Sequence, residues 1–361
     1  MARCEFIDDL IPLILEANDN WWPRNLASLS TVSSTWLFYT RKRLYPSPTI
    51  HSFPAATLLA RSLAENPQLT SLVKRIHLRP VMPEMSSRRP QPQELRSLRF
   101  LLGIEGLQHI TLGGELSVKA ERFLRLISNP DTLQELHIDG SSLCSRLSAR
   151  PSLEWDESLA FGFPNLNKLR LAEVELDIIP PSMPFPSPIT NLTLENVHII
   201  SGHLVHLLGD CQVLERLHVT TSDPVASEEQ LRLVLASCTV GCLHYESQKD
   251  NTSDRFVLDI NPASAASLRC LHLKGLFVDL GVLNVVNEMY RNIVELVISG
   301  RAVRVSPGEW ARFIRSGAFS SVRRLGLPWG TNHPPFLVWR RGDIEEIENA
   351  CSSRKIPISL C

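Results

Sequence analysis

Two Cys-x-His pairs stand closest to chemistry in this sequence: Cys242 with His244, and Cys270 with His272. Residues two apart on a strand point the same way. If the two segments are neighbouring strands in register, their four side chains make a rectangle of roughly 4.8 Å by roughly 6.6 Å. Cys2His2 is a zinc set, but zinc takes a tetrahedron at about 2.0–2.3 Å from each ligand atom. A flat sheet offers ligands from one side only, so no metal is expected here. His218 extends the histidine row into the preceding segment, and His77 and His137 hold the same phase with no Cys beside them. The expectation is a polar, partly exposed patch whose histidines can change charge near pH ~6–7 if solvated.

Other chemistry is sparse. The sequence holds no phosphate loop, no G-x-S-x-G elbow and no H-E-x-x-H. Gly113-Gly114 and Gly103/Gly106 lie between expected strands and form no dinucleotide fingerprint. Asp8-Asp9 and Glu345-Glu346 read as solvated faces of amphipathic helices. No catalytic constellation emerges, so a non-enzyme without a cofactor is expected.

Composition agrees. The 361 residues are 43% hydrophobic and 21% charged, which fits a folded chain and not a disordered one. Lys+Arg of 37 against Asp+Glu of 38 gives a net charge of −1, with no basic footprint for nucleic acid. No apolar run reaches a membrane span. Met1–Asn18 does not read as a secretory leader, because Asp8-Asp9 interrupts a short apolar run. The eight cysteines show no C-x-x-C pair and read as small hydrophobes of a reducing compartment. A cytoplasmic or nuclear protein is expected.

The elements that would position the Cys/His patch come from one recurring phrase, apolar-x-x-apolar-x-apolar. It starts at Val73, Leu107, Leu133, Leu166, Ile189, Leu214, Val240, Leu268, Ile293 and Val322, at spacings of 23 to 34 residues. The two longest spacings contain insertions, Pro80–Pro92 and Ser141–Phe163. Most of the spacings match leucine-rich repeats. The last two apolar positions of each phrase face one side of a short strand, and stacked strands make a parallel sheet with that side buried. Between strands, Ala120–Ile127, His203–Gly209, Glu228–Ala236, Leu280–Tyr290 and Pro307–Arg315 read as helices, and Pro180–Pro188 as loop. Phe53–Leu69 reads as a helix with Leu58, Leu59, Leu63 and Ala64 on one face, ended by Asn66-Pro67. Asp343–Ser353 and Ile356–Leu360 supply a helix and strand to cap the stack.

Residues flanking the buried strand positions would line a concave face: Arg75, His77, Arg79, Lys168, Arg170, Arg216, His218, His244 and His272 among them. Their mixed neighbours argue against a phosphate cradle and suit a protein surface. Ordinary solvation of a curved sheet is the competing reading.

The N-terminus has a different pattern. Leu26, Leu29, Val32 and Trp36 make an apolar stripe at helical spacing; Pro23 suits a first helical position, and Asp19 or Asn20 an upstream cap. Ser33 and Ser34 can cap a second helix running to Tyr45, and Phe6, Ile7, Leu10, Ile11, Ile14 and Leu15 mark another helix upstream. These residues resemble an F-box. Leu13-Ile14-Leu15-Glu16, Pro23, Leu26, Leu29, Val32-Ser33, Trp36, Arg41, Leu44 and Tyr45 match the family pattern; Phe6-Ile7 departs from its opening Leu-Pro. Asn66-Pro67-Gln68-Leu69 through Leu78 resembles the junction in expanded F-box families of mushroom-forming fungi.

The expected architecture is α/β: a three-helix F-box (1–50), a linker helix (51–72), an irregular leucine-rich-repeat solenoid (73–341) and a cap (342–361). The resemblance implies the substrate-recognition subunit of a Skp–cullin–F-box ubiquitin ligase. Leu10, Leu13, Leu26, Leu29, Val32 and Trp36 would serve adaptor docking, with Leu26→Asp as a probe. Arg75, Arg79, Lys168, Arg170, Arg216, His218, His244 and His272 would serve a protein substrate. A repeat scaffold without ubiquitin transfer is the alternative.

Overall fold

The computed structural model describes residues 9–18, 21–82, 90–143, 150–251, 262–300, 303–328, 330–331 and 337–360. Phe6-Ile7, Asp8, Asp19, Asn20 and the inner parts of both insertions (83–89 and 144–149) lie outside the described residues. The chain is α/β and packs as two units, Met1–Pro151 and Ser152–Cys361.

Unit 1 opens with helices Leu10–Glu16, Pro23–Leu29 and Ser34–Leu44. Pro23 takes the first helical position of its helix. The Ser33 hydroxyl accepts from the Trp36 N–H at 3.2 Å, which satisfies one orphan donor of the third helix. Four parallel strands follow: β1 (Thr49–Ile50), β2 (Arg75–Leu78), β3 (His109–Gly113) and β4 (Glu135–Asp139). The expected boundary at residue 50 does not separate packing units. The carbonyls of Pro46 and Pro48 accept from Lys74 and His77 N–H groups, so the segment after the third helix is hydrogen-bonded to β2. The helix at Phe53–Glu65 buries Phe53, Ala56, Ala60 and Leu63, while Leu58 is exposed. Its buried stripe is thus offset from the expected Leu58/Leu59/Leu63/Ala64. This helix packs on helix Pro92–Leu102.

Unit 2 contains β5 (Ser152–Trp155), β6 (Lys168–Ala172), β7 (Glu175–Ile178), β8 (Asn191–Glu195) and β9 (His198–Ser201). It continues with β10 (Val213–Thr221), β11 (Thr239–Asn251), β12 (Cys270–Leu276), β13 (Glu295–Ser299) and β14 (Arg324–Leu327). An antiparallel pair, β15 (Gly330–Thr331) with β16 (Leu337–Val338), and β17 (Ile358–Leu360) complete it. Strands β6, β8, β10, β11, β12, β13, β14 and β17 form one parallel sheet.

Every recurring phrase becomes a strand, and its last two apolar residues are buried: Leu217/Val219, Leu243/Tyr245, Leu271/Leu273 and Leu296/Ile298 are successive examples. Each such leucine contributes about 1.5–3 kcal/mol by leaving water. Between these strands, helices Pro224–Ser237, Leu280–Met289 and Pro307–Arg315 bury Leu231, Val234, Val282, Leu283, Trp310 and Ile314. Strand β17 pairs with β14, as a terminal helix-strand element should, and helix Arg341–Ser353 packs on helix Pro307–Arg315.

A second sheet was not expected. Strands β5, β7 and β9 pair in parallel, built from stretches where helices or loops are expected. The alternation Val174, Leu176, Ile178 is its signal, and all three are buried. Gly202 closes β9 with φ +76, and a Cβ there would lie 2.1 Å from the Ile178 carbonyl oxygen, so the turn requires glycine.

Candidate protein-interaction surfaces

The three N-terminal helices are short, so few side chains can be buried among them. Ile11, Leu15 and Leu26 form their core, with Trp21, Leu29, Trp36, Tyr39 and Leu44 packed against it. The Trp21 indole N–H donates to the Leu15 carbonyl at 3.1 Å and locks the first turn to that core. What remains outside is strongly apolar. Leu13 is 60% exposed and Val32 64%, and Leu10, Ile14, Trp22 and Phe38 also face water. Leu10, Leu13 and Ile14 share one helix face by spacing. Lys42 Nζ lies 4.2 Å from the Phe38 ring centroid, a cation–π contact at the rim of this surface.

This divides the six expected docking residues. Leu10, Leu13 and Val32 face outward; Leu26 is buried, and Leu29 and Trp36 support the core. Leu26→Asp is therefore not a clean probe of docking, because it puts a carboxylate into the core.

In unit 1, strands β2 to β4 present a polar row. Arg79 pairs with Asp139 at 3.2 Å, and His109 Nδ1 lies 2.8 Å from Glu135 Oε2. His77 is held by the Ser47 and Thr111 hydroxyls at 3.2 and 2.9 Å. Burial, then the Arg79 and Arg75 guanidinium groups, lower the His77 pKa. Burial raises the Asp139 carboxyl, but hydrogen bonds from Ser141 and the Arg79 charge outweigh it, so the group sits below the usual carboxylate value. Among the described residues Arg75 has no acidic partner.

In unit 2, register places Arg216, Cys242, Cys270 and Glu295 in one row, and His218, His244 and His272 in the next. The His218 and His244 rings stack at 4.1 Å, and the His244 and His272 rings lie 5.0 Å apart. Arg170 pairs with Glu195 at 2.8 Å, Lys274 with Glu246 at 2.6 Å, and His272 Nε2 lies 3.3 Å from Glu295 Oε1. Lys168 and Arg216 have no acidic partner among the described residues. Among the described residues no cluster of three or more His, Cys, Asp or Glu is placed to hold a metal. The Cys242 thiol is raised by burial, and next by Cys270 beside it, which works against a thiolate ligand.

The His218 and His244 rings are not solvated as that expectation requires. Burial lowers His218, and burial with the neighbouring His218 and His272 lowers His244 from 6.5 to about 4. The expectation of charge change near pH ~6–7 assumed solvated rings; ring stacking removes that solvent. The folded chain therefore binds fewer protons than the unfolded chain between about pH 4 and 6.5. The stability contribution is whole above 6.5 and declines as pH falls through about 4. His244→Asn should thus lose less melting temperature than the native chain on acidification across that window. Equal losses would assign the acid sensitivity to other groups.

Two buried thiols add a structural detail. Cys211 is buried near the Ile189 carbonyl at 3.4 Å, and a hydrogen bond with the Cys238 thiol lowers Cys211 and raises Cys238. Cys238 is also buried.

No helix among the described residues is long and apolar enough to cross a membrane. No protein-family model matches the chain, and no curated protein matches it.

Proposed function

We propose that this protein is a substrate-recognition subunit of a Skp–cullin–F-box-type ubiquitin ligase, working in the cytoplasm or nucleus. The observation that carries the reading is the N-terminal helical trio: it spends Ile11, Leu15 and Leu26 on its core and leaves Leu10, Leu13 and Val32 exposed. Exposed apolar groups on so small an element mark a partner site. The F-box-like spacing of those residues names a Skp-type adaptor as the partner, and through it a cullin. The phrases at 73–327, each a buried-pair strand, support a leucine-rich-repeat arm that holds a protein substrate. No chemistry falls to the chain itself. It raises the effective concentration of a substrate lysine near the transfer site.

The deciding experiment is reconstitution: purified protein with a Skp-type adaptor and a cullin. Recovery of both supports the ligase reading. Recovery of neither leaves the repeats as a scaffold and sinks the proposal.

The substrate face carries its own prediction. Arg79 is engaged with Asp139 in unit 1 and Arg170 with Glu195 in unit 2, so reversing either disturbs an existing pair. On the strands of the recurring phrase, Arg75 in unit 1 and Lys168 and Arg216 in unit 2 are exposed cations without an acidic partner among the described residues. Reversing these three to Glu should weaken substrate capture, mainly through slower association, with little change in melting temperature. Unchanged capture by the triple variant would move the substrate site off these strands.

A further inference from the structure

Two open grooves adjoin the same helix of unit 1, Pro92–Leu102, and share Arg96 and Arg99 as a common wall. The first has a volume of about 700 Å³ and is walled by Phe53, Leu95, Leu116, Val118, Phe123 and Leu126. The second has a volume of about 900 Å³ and carries the Thr70, Ser71 and Ser128 hydroxyls with Lys74. The first compartment is mainly apolar and the second mixed, and each carries three cations and one carboxylate: Arg96, Arg99, Arg122 and Glu115 in the first, Lys74, Arg96, Arg99 and Glu105 in the second.

The charges at this place do not cancel. Lys74, Arg96, Arg99 and Arg122 meet Glu105 and Glu115, an excess of two cations in a chain whose total is −1. Among the described residues Lys74, Arg96 and Arg99 have no ion-pair partner, and Arg122 meets only the Phe123 ring, at 5.8 Å. Leu95 and Phe100 are 44% and 40% exposed on the same helix, so apolar surface and unpaired guanidinium groups lie side by side. The helix itself is well anchored. Leu98, Leu101 and Leu102 are buried, and the Glu94 carboxylate accepts from the Gln91 N–H at 2.7 Å.

We propose that this double groove binds an extended acidic peptide, with a bulky apolar side chain in the first compartment and carboxylates against Arg96, Arg99 and Lys74 in the second. Guanidinium groups take carboxylates in two-point contacts, and the neighbouring hydroxyls can complete them. A small amphiphile is the weaker fit, because a small-ligand site covers most of its ligand and both grooves here are open. The site lies wholly in unit 1, and its reading is independent of adaptor docking.

The test is selection of short random peptides displayed on phage against the intact protein, followed by titration of the enriched peptides in solution. Enriched sequences should place Asp or Glu within a few residues of Phe, Leu, Ile or Trp. Their affinity should fall at least about tenfold in the Arg96→Ala, Arg99→Ala double variant. It should also fall between about 50 and about 300 mM salt. Both arginines are exposed, so the variant folds, and an unchanged melting curve verifies that. A Leu95→Ser variant should lose peptides with the apolar anchor. Failure to enrich any sequence on folded protein overturns the proposal. So does enrichment of sequences without acidic residues, equal binding to the double variant, or saturable binding of dodecanoate with no peptide enriched.

Discussion

Leu13→Asp combined with Val32→Asp should abolish capture of a purified Skp-type adaptor and leave the melting temperature of the chain almost unchanged. Both side chains are well over half exposed, so neither contributes much to the fold. An apolar anchor at an interface centre costs about 2 kcal/mol or more when lost, roughly thirtyfold in affinity. A carboxylate there adds desolvation to that loss. Leu26→Ala supplies the contrast. Leu26 sits in the Ile11/Leu15 core at 4% exposure, so its truncation should cost about 2–5 kcal/mol of local stability and reduce binding only by melting the trio. Adaptor titrations with melting curves for both variants separate the two effects. Normal adaptor binding by the double carboxylate variant would end the docking assignment.

Trp310→Ala should be the most destabilising single change in unit 2, at about 3–5 kcal/mol. Trp310 is 0% exposed on helix Pro307–Arg315, whose capping box joins Ser306 and Glu309. Helix Arg341–Ser353 packs against that helix with Ile347, Ala350 and Cys351 buried. Arg354 then donates to the Ile314 and Phe319 carbonyls at 3.1 Å each. Truncating the indole loosens the helix against which the C-terminal helix packs, so protection from hydrogen exchange should fall across 341–353 as well as across 307–315. Loss confined to 307–315 would mean that the terminal helix is held by β17 and Arg354 alone.

Much of the framework was legible in the residues. Period two at Leu217/Val219 or Leu271/Leu273 identifies strands locally, because a strand sends alternate side chains to opposite sides whatever its neighbours do. The register of Cys242 with Cys270 and of His244 with His272 followed from counting along equivalent phrases. Helix Pro307–Arg315 carried its own start signals in Ser306, Pro307 and Glu309. The small sheet of β5, β7 and β9 was less legible: its strands are short, and they lie where most phrases place a helix or loop.

The sequence by itself determined the ten strands of the recurring phrase, the buried side of each and the mixed charge of the opposite side, because these depend on neighbours within a few residues. Tertiary structure alone decided which N-terminal leucines are core and which are surface, since Leu26 and Val32 lie on one stripe until two other helices close on it. It also decided that Arg79 and Arg170 are engaged while Arg75 and Lys168 stand without acidic partners among the described residues. The same applies to His244, kept neutral first by burial and then by rings 28 and 26 residues away along the chain. Charge, exposure and titration depend on what lies across a gap of a few ångströms, and distant segments of the chain supply those neighbours.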